Sequence, residues 1–242
     1  MTAASEPLHV RVADTLETAI RRGEYPAGSR LPDERTLARR LEVSRTTLRQ
    51  ALADLSRNGV IRRRVGRGGG TFVRERVVER RSGAAGLTAE LARQGMRPGA
   101  SVVVVSVDPA PPDVAEALAL DRGERVVKVV RVRSADGRPV ALEESWFPSR
   151  RFVGLESAEL SGSIYAVLRE RYGCVSDRSV ERVEARVAVA EDAIRLGARH
   201  GSPMIAVERI AFDDLGAPFE FARDRFRGDR TTIVISSREE SS

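Results

Sequence analysis

The stretch from residue 33 to residue 73 constrains the fold of this chain more than any other. Two capping residues, Asp33 and Ser44, each stand in front of a short apolar pattern with helical spacing. Asn58-Gly59 then supplies a left-handed helix end, and an arginine-rich strand pattern follows around a run of glycines. This order predicts two short helices joined by a sharp connection, followed by a two-stranded ribbon. An earlier apolar pattern from Leu8 to Ile20 predicts one more helix in front of them.

Positive charge is concentrated in the same third of the chain. Residues 1–81 contain 18 arginines and 10 acidic residues, a net charge of +8. Residues 82–242 contain 23 basic and 25 acidic residues, a net charge of −2. This asymmetry is typical of a module that binds a polyanion and is joined to a nearly neutral domain.

The first turn of the predicted third helix carries side chains that suit DNA. In a helix-turn-helix, this end of the second helix enters the major groove, where arginine binds guanine and threonine contacts phosphate or a thymine methyl. The ribbon suits the DNA backbone, since arginines bind phosphates and glycines allow close approach. A nucleotide-binding P-loop is not expected from this glycine run, because no G-K-[S/T] occurs. The residues predicted to bind DNA are Arg35, Ser44, Arg45, Thr46, Thr47, Arg49, Arg63, Gly66, Arg67, Gly68 and Thr71.

Composition limits the class of protein. The chain is 41% hydrophobic and 31% charged, as in globular proteins. No apolar run approaches the roughly 20 residues that span a membrane, and residues 1–7 lack the apolar core of a signal peptide. Cys174 is the single cysteine, so no disulfide can form within the chain. We therefore expect a cytoplasmic protein that does not bind membranes.

The remainder of the chain alternates strand and helix patterns. Hairpin turns are indicated at Asp136-Gly137 and at residues 214–216. The prediction is an α+β chain with a mainly antiparallel sheet in its second domain. We assign residues 1–75 to the DNA-binding domain, residues 76–86, which are charged and then small, to a linker, and residues 87–242 to the second domain.

A weak repeat relates residues 114–147 to residues 193–226. Gly123 and Gly201 lie 78 residues apart, and Arg131 matches Arg209 at the same spacing. Two hairpins of similar sequence would explain this, and so would a duplication. A duplication would pack the halves about a pseudo-twofold axis, with a ligand cleft between them.

Motifs in the first part resemble a known family. L-P-D-E-R-T-L-A, V-S-R-T-T-L-R-Q-A-L and G-R-G-G-G-T-F-V are similar to the winged helix-turn-helix of the GntR family of bacterial repressors, over residues 8–74. Two additional glycines precede Thr71 in comparison with the usual G-x-G-T-F pattern of the tip.

Motifs in the second part resemble one subfamily. R-V-R-S-A-D-G-R-P-V-A-L-E-E-S-W-F-P and A-P-F-E-F are similar to the UTRA ligand-binding domain of the HutC subfamily, which has a chorismate lyase-like fold. The all-helical subfamily holds a metal with an Asp and three His. This chain has only His9 and His200, so neither that subtype nor a metal or other cofactor is expected.

The resemblance also implies an effector site. Its arginines and a serine at a helix start suit a phosphate or carboxylate, and its glutamates suit hydroxyl or amine groups. Plainer roles stay open, since Arg131 and Glu143 could form an ordinary cross-strand pair and Ser163 could only cap its helix. The predicted effector-binding residues are Leu87, Thr88, Arg131, Arg133, Glu143, Ser163, Arg178, Glu220 and Phe226.

The resemblance implies a ligand-responsive transcription regulator, usually a repressor. As a homodimer it would read a palindromic operator in double-stranded DNA, and its operator affinity would be controlled by a sugar phosphate or another small anion. Two alternatives remain for the second domain: a lyase-like enzyme and a dimerisation module without ligand. No Ser/His/Asp set supports the enzyme.

Overall fold

The computed structural model describes residues 7–66, 68–74, 76–81 and 86–235. It divides the chain into two compact units, of which the first ends at Arg76 and the second begins at Val77. None of the helices in the described ranges is long and apolar enough to cross a membrane.

The first unit packs helices against a short hairpin. Leu16 from the first helix, Leu37 from the second and Leu52 from the third are buried together with Ile61 and Val73 of the hairpin. Its elements are α1 (Leu8–Arg22), α2 (Glu34–Arg40), α3 (Arg45–Arg57), β1 (Ile61–Arg64) and β2 (Gly70–Val73).

Both predicted caps of the first unit are confirmed. The Asp33 carboxylate accepts a hydrogen bond from the Thr36 amide at 3.0 Å, and the Ser44 hydroxyl accepts one from the Thr47 amide at 3.0 Å. The connection between α2 and α3 is sharp because Glu42, with a φ of 54°, turns the chain in the left-handed region after α2, and Ser44 caps α3 two residues later. Gly59, with a φ of 72°, ends the helical segment as predicted.

The second unit is built on one antiparallel sheet. Its strand order is β4-β5-β6-β9-β8-β7. The elements of this unit are β3 (Val78–Arg81), α4 (Leu87–Arg93), β4 (Pro98–Pro109), α5 (Pro112–Ala117), β5 (Arg125–Ala135), β6 (Arg138–Pro148), α6 (Ile164–Tyr172), β7 (Ser176–Val187), α7 (Ala190–Leu196), β8 (Pro203–Asp213), β9 (Pro218–Arg227) and β10 (Thr231–Val234).

Helices cover both faces of this sheet. We call the inner face the one that packs against α4 and α6, through Leu91 and Leu168. The outer face packs against α5 and α7, through Val114 and Leu196. Neighbouring residues of a strand therefore point to different helices.

The sheet order supports a duplication. The series α4-β4-α5-β5-β6 recurs as α6-β7-α7-β8-β9, and the two series meet where β6 pairs with β9. Strands β4 and β7 begin 78 residues apart, and so do β5 and β8. This repeat is longer than the one predicted from residues 114–147, because it includes α4 and β4 as well.

Two predictions for this unit are corrected. Residues 76–86 were predicted to be a linker, yet Val78–Arg81 form β3, which pairs in parallel with β10; residues 82–85 lie outside the described residues. The pattern of residues 231–236 predicts a closing strand; this strand, β10, ends at Val234, and its partner among the described residues is β3, not a strand of the large sheet. Pairing between segments about 150 residues apart leaves no local pattern in the sequence.

Candidate functional sites

Helix α3 presents an exposed first turn in the first unit. Arg45 and Thr46 are exposed, and Arg45 forms no ion pair with any residue that the structure describes. Ser44 and Thr47 are less available, because their hydroxyl oxygens lie 2.8 Å apart in a hydrogen bond at the cap. The side chains of this turn therefore have different roles: one pair builds the helix end and the other is free to contact a partner.

Glu34 joins the helix to the hairpin, and the sequence-based prediction missed it. Its carboxylate accepts a hydrogen bond from Arg49 Nε of α3 at 2.7 Å and one from Arg63 Nη2 of β1 at 3.3 Å. Both arginines were predicted to bind DNA, and one carboxylate now restrains both. The only signal in the sequence was the acidic residue beside Arg35 at the start of α2, which is also typical of a favourable helix dipole interaction.

The hairpin tip explains the additional glycines. A Cβ at Gly69 would come within 2.7 Å of the Arg64 carbonyl oxygen and 2.8 Å of the Gly66 carbonyl oxygen, so this position needs glycine for the turn itself. Gly66 and Gly68 face open space instead, with φ values of 101° and 80°. They are the tip glycines that can approach a partner. Thr71 is half-buried in β2, and Arg67 lies outside the described residues.

In the second unit, four predicted effector residues form one connected cluster on the inner face. Arg131 Nε donates to Glu143 at 2.8 Å, and Arg133 Nη1 donates to the same carboxylate at 3.2 Å. Arg133 Nη2 also donates to the Thr88 hydroxyl of α4 at 2.7 Å. Arg131 and Glu143 lie directly opposite each other on neighbouring strands, so they do form the cross-strand pair that was the alternative to ligand binding. They also remain part of the candidate effector site.

Arg131 also holds the segment in front of α6. Its Nη1 donates to the carbonyl oxygens of Leu160 and Gly162, both at 2.9 Å. Ser163 follows and caps α6 through the Ala166 amide at 3.2 Å. The serine therefore has its structural role and still lies next to the arginine cluster.

Glu143 stays ionised although it is buried. Burial alone raises the pKa of a carboxyl, but the charges of Arg131, Arg133 and Arg209 outweigh burial and hold the pKa of Glu143 at about 2. A carboxylate with this pKa is negative at every physiological pH.

A second polar cluster continues across the inner face. Arg209 Nη2 donates to Glu220 at 3.1 Å, its Nη1 donates to Asp224 at 3.4 Å, and the Tyr165 hydroxyl donates to Glu220 at 2.6 Å. Glu220 was predicted, whereas Tyr165, Arg209 and Asp224 were not. The signal in the sequence that could have indicated Arg209 was its match to Arg131 in the internal repeat.

Burial dominates the titration of Asp224. It raises the pKa of Asp224 to about 7, with Glu143 and Glu220 acting in the same direction and Arg209 in the opposite one. The two clusters therefore contain carboxyl groups of very different acidity.

The other predicted effector residues take different places. Leu87 and Phe226 lie together in the apolar core beneath α4. Arg178 is not brought to the cluster: it is exposed on the edge strand β7 and stacks on Phe212, with 3.8 Å from the guanidinium carbon to the ring centroid. It alternates with Ser179, which pairs with buried Ala211, so it points to the outer face.

Part of the predicted linker reaches this region. Arg80 of β3 is buried, donates two hydrogen bonds to Glu181 at 2.9 and 2.6 Å, and lies 5.5 Å from the ring centroid of Phe226. Among the described residues, no group of His, Cys, Asp and Glu side chains could hold a metal ion.

Comparison with known proteins agrees with these two units. Residues 8–73 match the profile of bacterial regulatory proteins of the gntR family, and residues 93–232 match the UTRA domain. The chain belongs to the GntR family. It is 32% identical to the transcriptional repressor NagR of Bacillus subtilis, over 94% of this chain and 93% of NagR. It is 33% identical to the transcriptional repressor PhnF of Mycolicibacterium smegmatis, over 86% of this chain and 84% of PhnF.

A solved structure of a relative has a similar fold. The crystal structure of PhnF from Mycobacterium smegmatis superposes with a TM-score of 0.73 at 31% identity, covering 95% of this GntR-family chain and all of that one. The chain is thus a DNA-binding transcription regulator with a UTRA effector domain. The relatives are named as regulators, which favours this role over the lyase-like alternative.

Replacing Glu34 tests the junction between α3 and the hairpin. We expect Glu34→Gln to release Arg49 and Arg63 to phosphates, so that binding to random-sequence duplex becomes tighter and the salt slope, log K against log[salt], becomes steeper by about one. Fluorescence anisotropy over a salt series measures both. Glu24→Gln removes the same charge at an exposed position outside this junction and is the control. Equal slopes for the two variants would contradict the role of Glu34.

Asp224 predicts a pH-dependent stability. Since its folded pKa of about 7 exceeds the ordinary 3.8, its contribution to stability is complete below the unfolded pKa and is lost as pH rises through the folded pKa. From about pH 5 to about pH 8 the wild type should lose on the order of 2 kcal/mol that Asp224→Asn does not lose. Urea unfolding across this range measures the difference. Asp108→Asn, at an exposed position, should follow the wild type; parallel curves for Asp224→Asn and wild type would refute the assignment.

Proposed function

We propose that this regulator is a homodimeric repressor that works in the cytoplasm and releases a palindromic operator when a small anion binds its second unit. The observation that carries the proposal is the pairing of an exposed α3 turn with a buried arginine cluster in a UTRA domain. A homodimer supplies two copies of α3, which suit two half-sites one helical turn apart. Regulators of chromosomal DNA act where that DNA is, which supports the cytoplasm.

The DNA contacts divide into reading and gripping. Arg45 and Thr46 are free at the start of α3, and Arg35 is exposed at the start of α2, so these side chains are proposed to reach base edges. Arg49 and Arg63 are paired with Glu34, and we propose that they exchange this carboxylate for DNA phosphates when the duplex binds. Gly66 and Gly68 with Arg67 form the proposed tip contact, and Ser44, Thr47 and Thr71 support the surface.

The effector is proposed to be a small anion such as a sugar phosphate. Arg131 and Arg133 both donate to Glu143, and Thr88 and Ser163 lie beside them, so several hydrogen-bond donors converge in a buried place. Glu220 adds an acceptor for hydroxyl groups, while Leu87 and Phe226 supply an apolar wall. Arg178 is left out of this proposal, because it faces the outer side of the sheet.

An anion at this place has a structural consequence. It competes with Glu143 and with the carbonyl oxygens of Leu160 and Gly162 for Arg131, and thereby loosens the segment in front of α6. Such a change couples effector to operator. By linkage, operator must then weaken effector binding by the same factor.

Selection from a random DNA pool tests operator recognition. We expect a short palindrome to be enriched. Arg45→Ala should lower the preference for this palindrome over random duplex by about tenfold or more, because it removes a base contact. Arg62→Ala, in the hairpin, should weaken binding to both duplexes alike and lower the salt slope by about one. If no sequence is enriched at moderate salt, operator recognition is refuted.

Thermal shift tests the effector. Phosphorylated sugars and polyols should raise the unfolding midpoint of the full chain, following RT ln(1 + [L]/Kd). Arg133→Met should abolish this shift. A compound that stabilises the chain should also lower its affinity for the selected palindrome. The palindrome should in turn lower the affinity for that compound by an equal factor. Stabilisation without release would make the second unit a binding module without control over DNA.

A further inference from the structure

Ala222 is the small residue at the centre of a polar ring on the inner face. It pairs across the sheet with Ser145 of β6 on one side and with Arg209 of β8 on the other. Glu220 and Asp224 lie two residues away on the same strand and therefore on the same face. All five residues are buried, with 8% exposure or less. Four polar side chains thus surround one methyl group.

Three atoms of this ring are buried without a hydrogen-bond partner among the described residues. They are Arg209 Nε, Asp224 Oδ1 and Ser145 Oγ. Native proteins leave few buried polar atoms unpaired, because each one costs the free energy of its lost hydration. A group that is not part of this chain's own side chains is therefore expected at Ala222.

The duplication shows what is missing there. In the first half, Arg131 lies opposite Glu143, and its Nε donates to that carboxylate at 2.8 Å. In the second half, the equivalent Arg209 lies opposite Ala222, and its Nε has no acceptor in the described part of the chain. Alanine stands where the other half has a carboxylate. The absent group is thus an oxygen that accepts from Arg209 Nε.

We propose that the polar ring around Ala222 is the subsite for a hydroxyl group of the effector, which accepts from Arg209 Nε and donates to Asp224 Oδ1, with Ser145 at its border. The proposal rests on the proposed function. A carboxylate is repelled by Glu220 and, once Asp224 is ionised, by Asp224 as well, and an ammonium group cannot accept from Arg209. A hydroxyl accepts from Arg209 and donates to Asp224.

This subsite selects among anions. A ligand with a hydroxyl at the right distance from its anionic group satisfies the ring and the Arg131–Arg133 cluster together. A bare anion satisfies only the arginine cluster and leaves the ring unpaired. Since a buried unpaired polar group costs free energy, we expect the affinity for polyol phosphates to exceed the affinity for inorganic phosphate by about tenfold or more.

A variant tests the subsite without any ligand. Ala222→Ser places a hydroxyl inside the ring, and we expect it to raise the unfolding midpoint of the full chain by about 2–4 °C. Val127→Thr is the control, since Val127 is equally buried on the inner face but lies between Val107 and Phe147, which offer a hydroxyl no polar side chain. Removing the acceptor with Asp224→Ala in the Ala222→Ser chain should abolish the gain. If Ala222→Ser destabilises the chain as Val127→Thr does, the polar subsite is refuted.

Ligand binding tests the hydroxyl. Inorganic phosphate, glycerol 3-phosphate and glucose 6-phosphate are titrated calorimetrically into wild type and Ala222→Ser. The wild type should prefer at least one of the two hydroxylated compounds by about tenfold or more, and Ala222→Ser should lose this preference while keeping its affinity for phosphate. Equal affinity of the wild type for all three would mean that the ring holds only water, which overturns this inference and leaves the proposed function intact. If none of the three binds, the anionic effector itself is refuted, and the stability of Ala222→Ser still decides the subsite.

Discussion

The inner face of the second unit depends on one buried carboxylate between two arginines. Glu143 accepts hydrogen bonds from both Arg131 and Arg133. Arg133 in turn donates to Thr88 of α4, and Arg131 donates to carbonyl oxygens of the segment before α6. Removing one partner of a buried ion pair typically costs 3–5 kcal/mol, because an uncompensated charge remains. The same interaction therefore positions the two helices that enclose the proposed effector site. A ligand anion can enter only by exchanging with contacts that also support the fold.

The duplicated halves share a backbone but differ in chemistry. The first half places Glu143 opposite Arg131, so its arginine is saturated within the protein. The second half places Ala222 opposite Arg209, so its arginine keeps an unused donor. The two equivalent positions therefore differ: the hydrogen bonds of Arg131 are satisfied within the protein, whereas Arg209 can still donate to an oxygen. A polar ligand is proposed to be recognised at the second position and not at the first.

Features that depend on near neighbours in the chain were predicted correctly. The Asp33 and Ser44 caps, the Gly59 helix end and both hairpins of the second unit follow from contacts within a few residues. The structure departs from two expectations, the linker at residues 78–81 and the place of Arg178 in the effector cluster, for a different reason. Residues 78–81 form β3 by pairing with β10, and Arg178 faces the outer side because its neighbour Ser179 pairs with buried Ala211 of β8. In both cases the pairing partner is a distant segment of the chain, so the outcome cannot be read from the surrounding residues.

The family, the uneven charge of the two units and most residues of the arginine cluster could be inferred from the amino-acid sequence, because family motifs and helix and turn signals lie within short stretches of chain. Which polar groups meet became known only from the folded chain. It joined Glu34 to Arg49 and Arg63, brought Tyr165 to Glu220, and set Arg209 opposite an alanine. The physical reason is that strand register and helix packing bring together residues that are distant in the chain, and hydrogen-bond satisfaction in a buried layer depends on those neighbours.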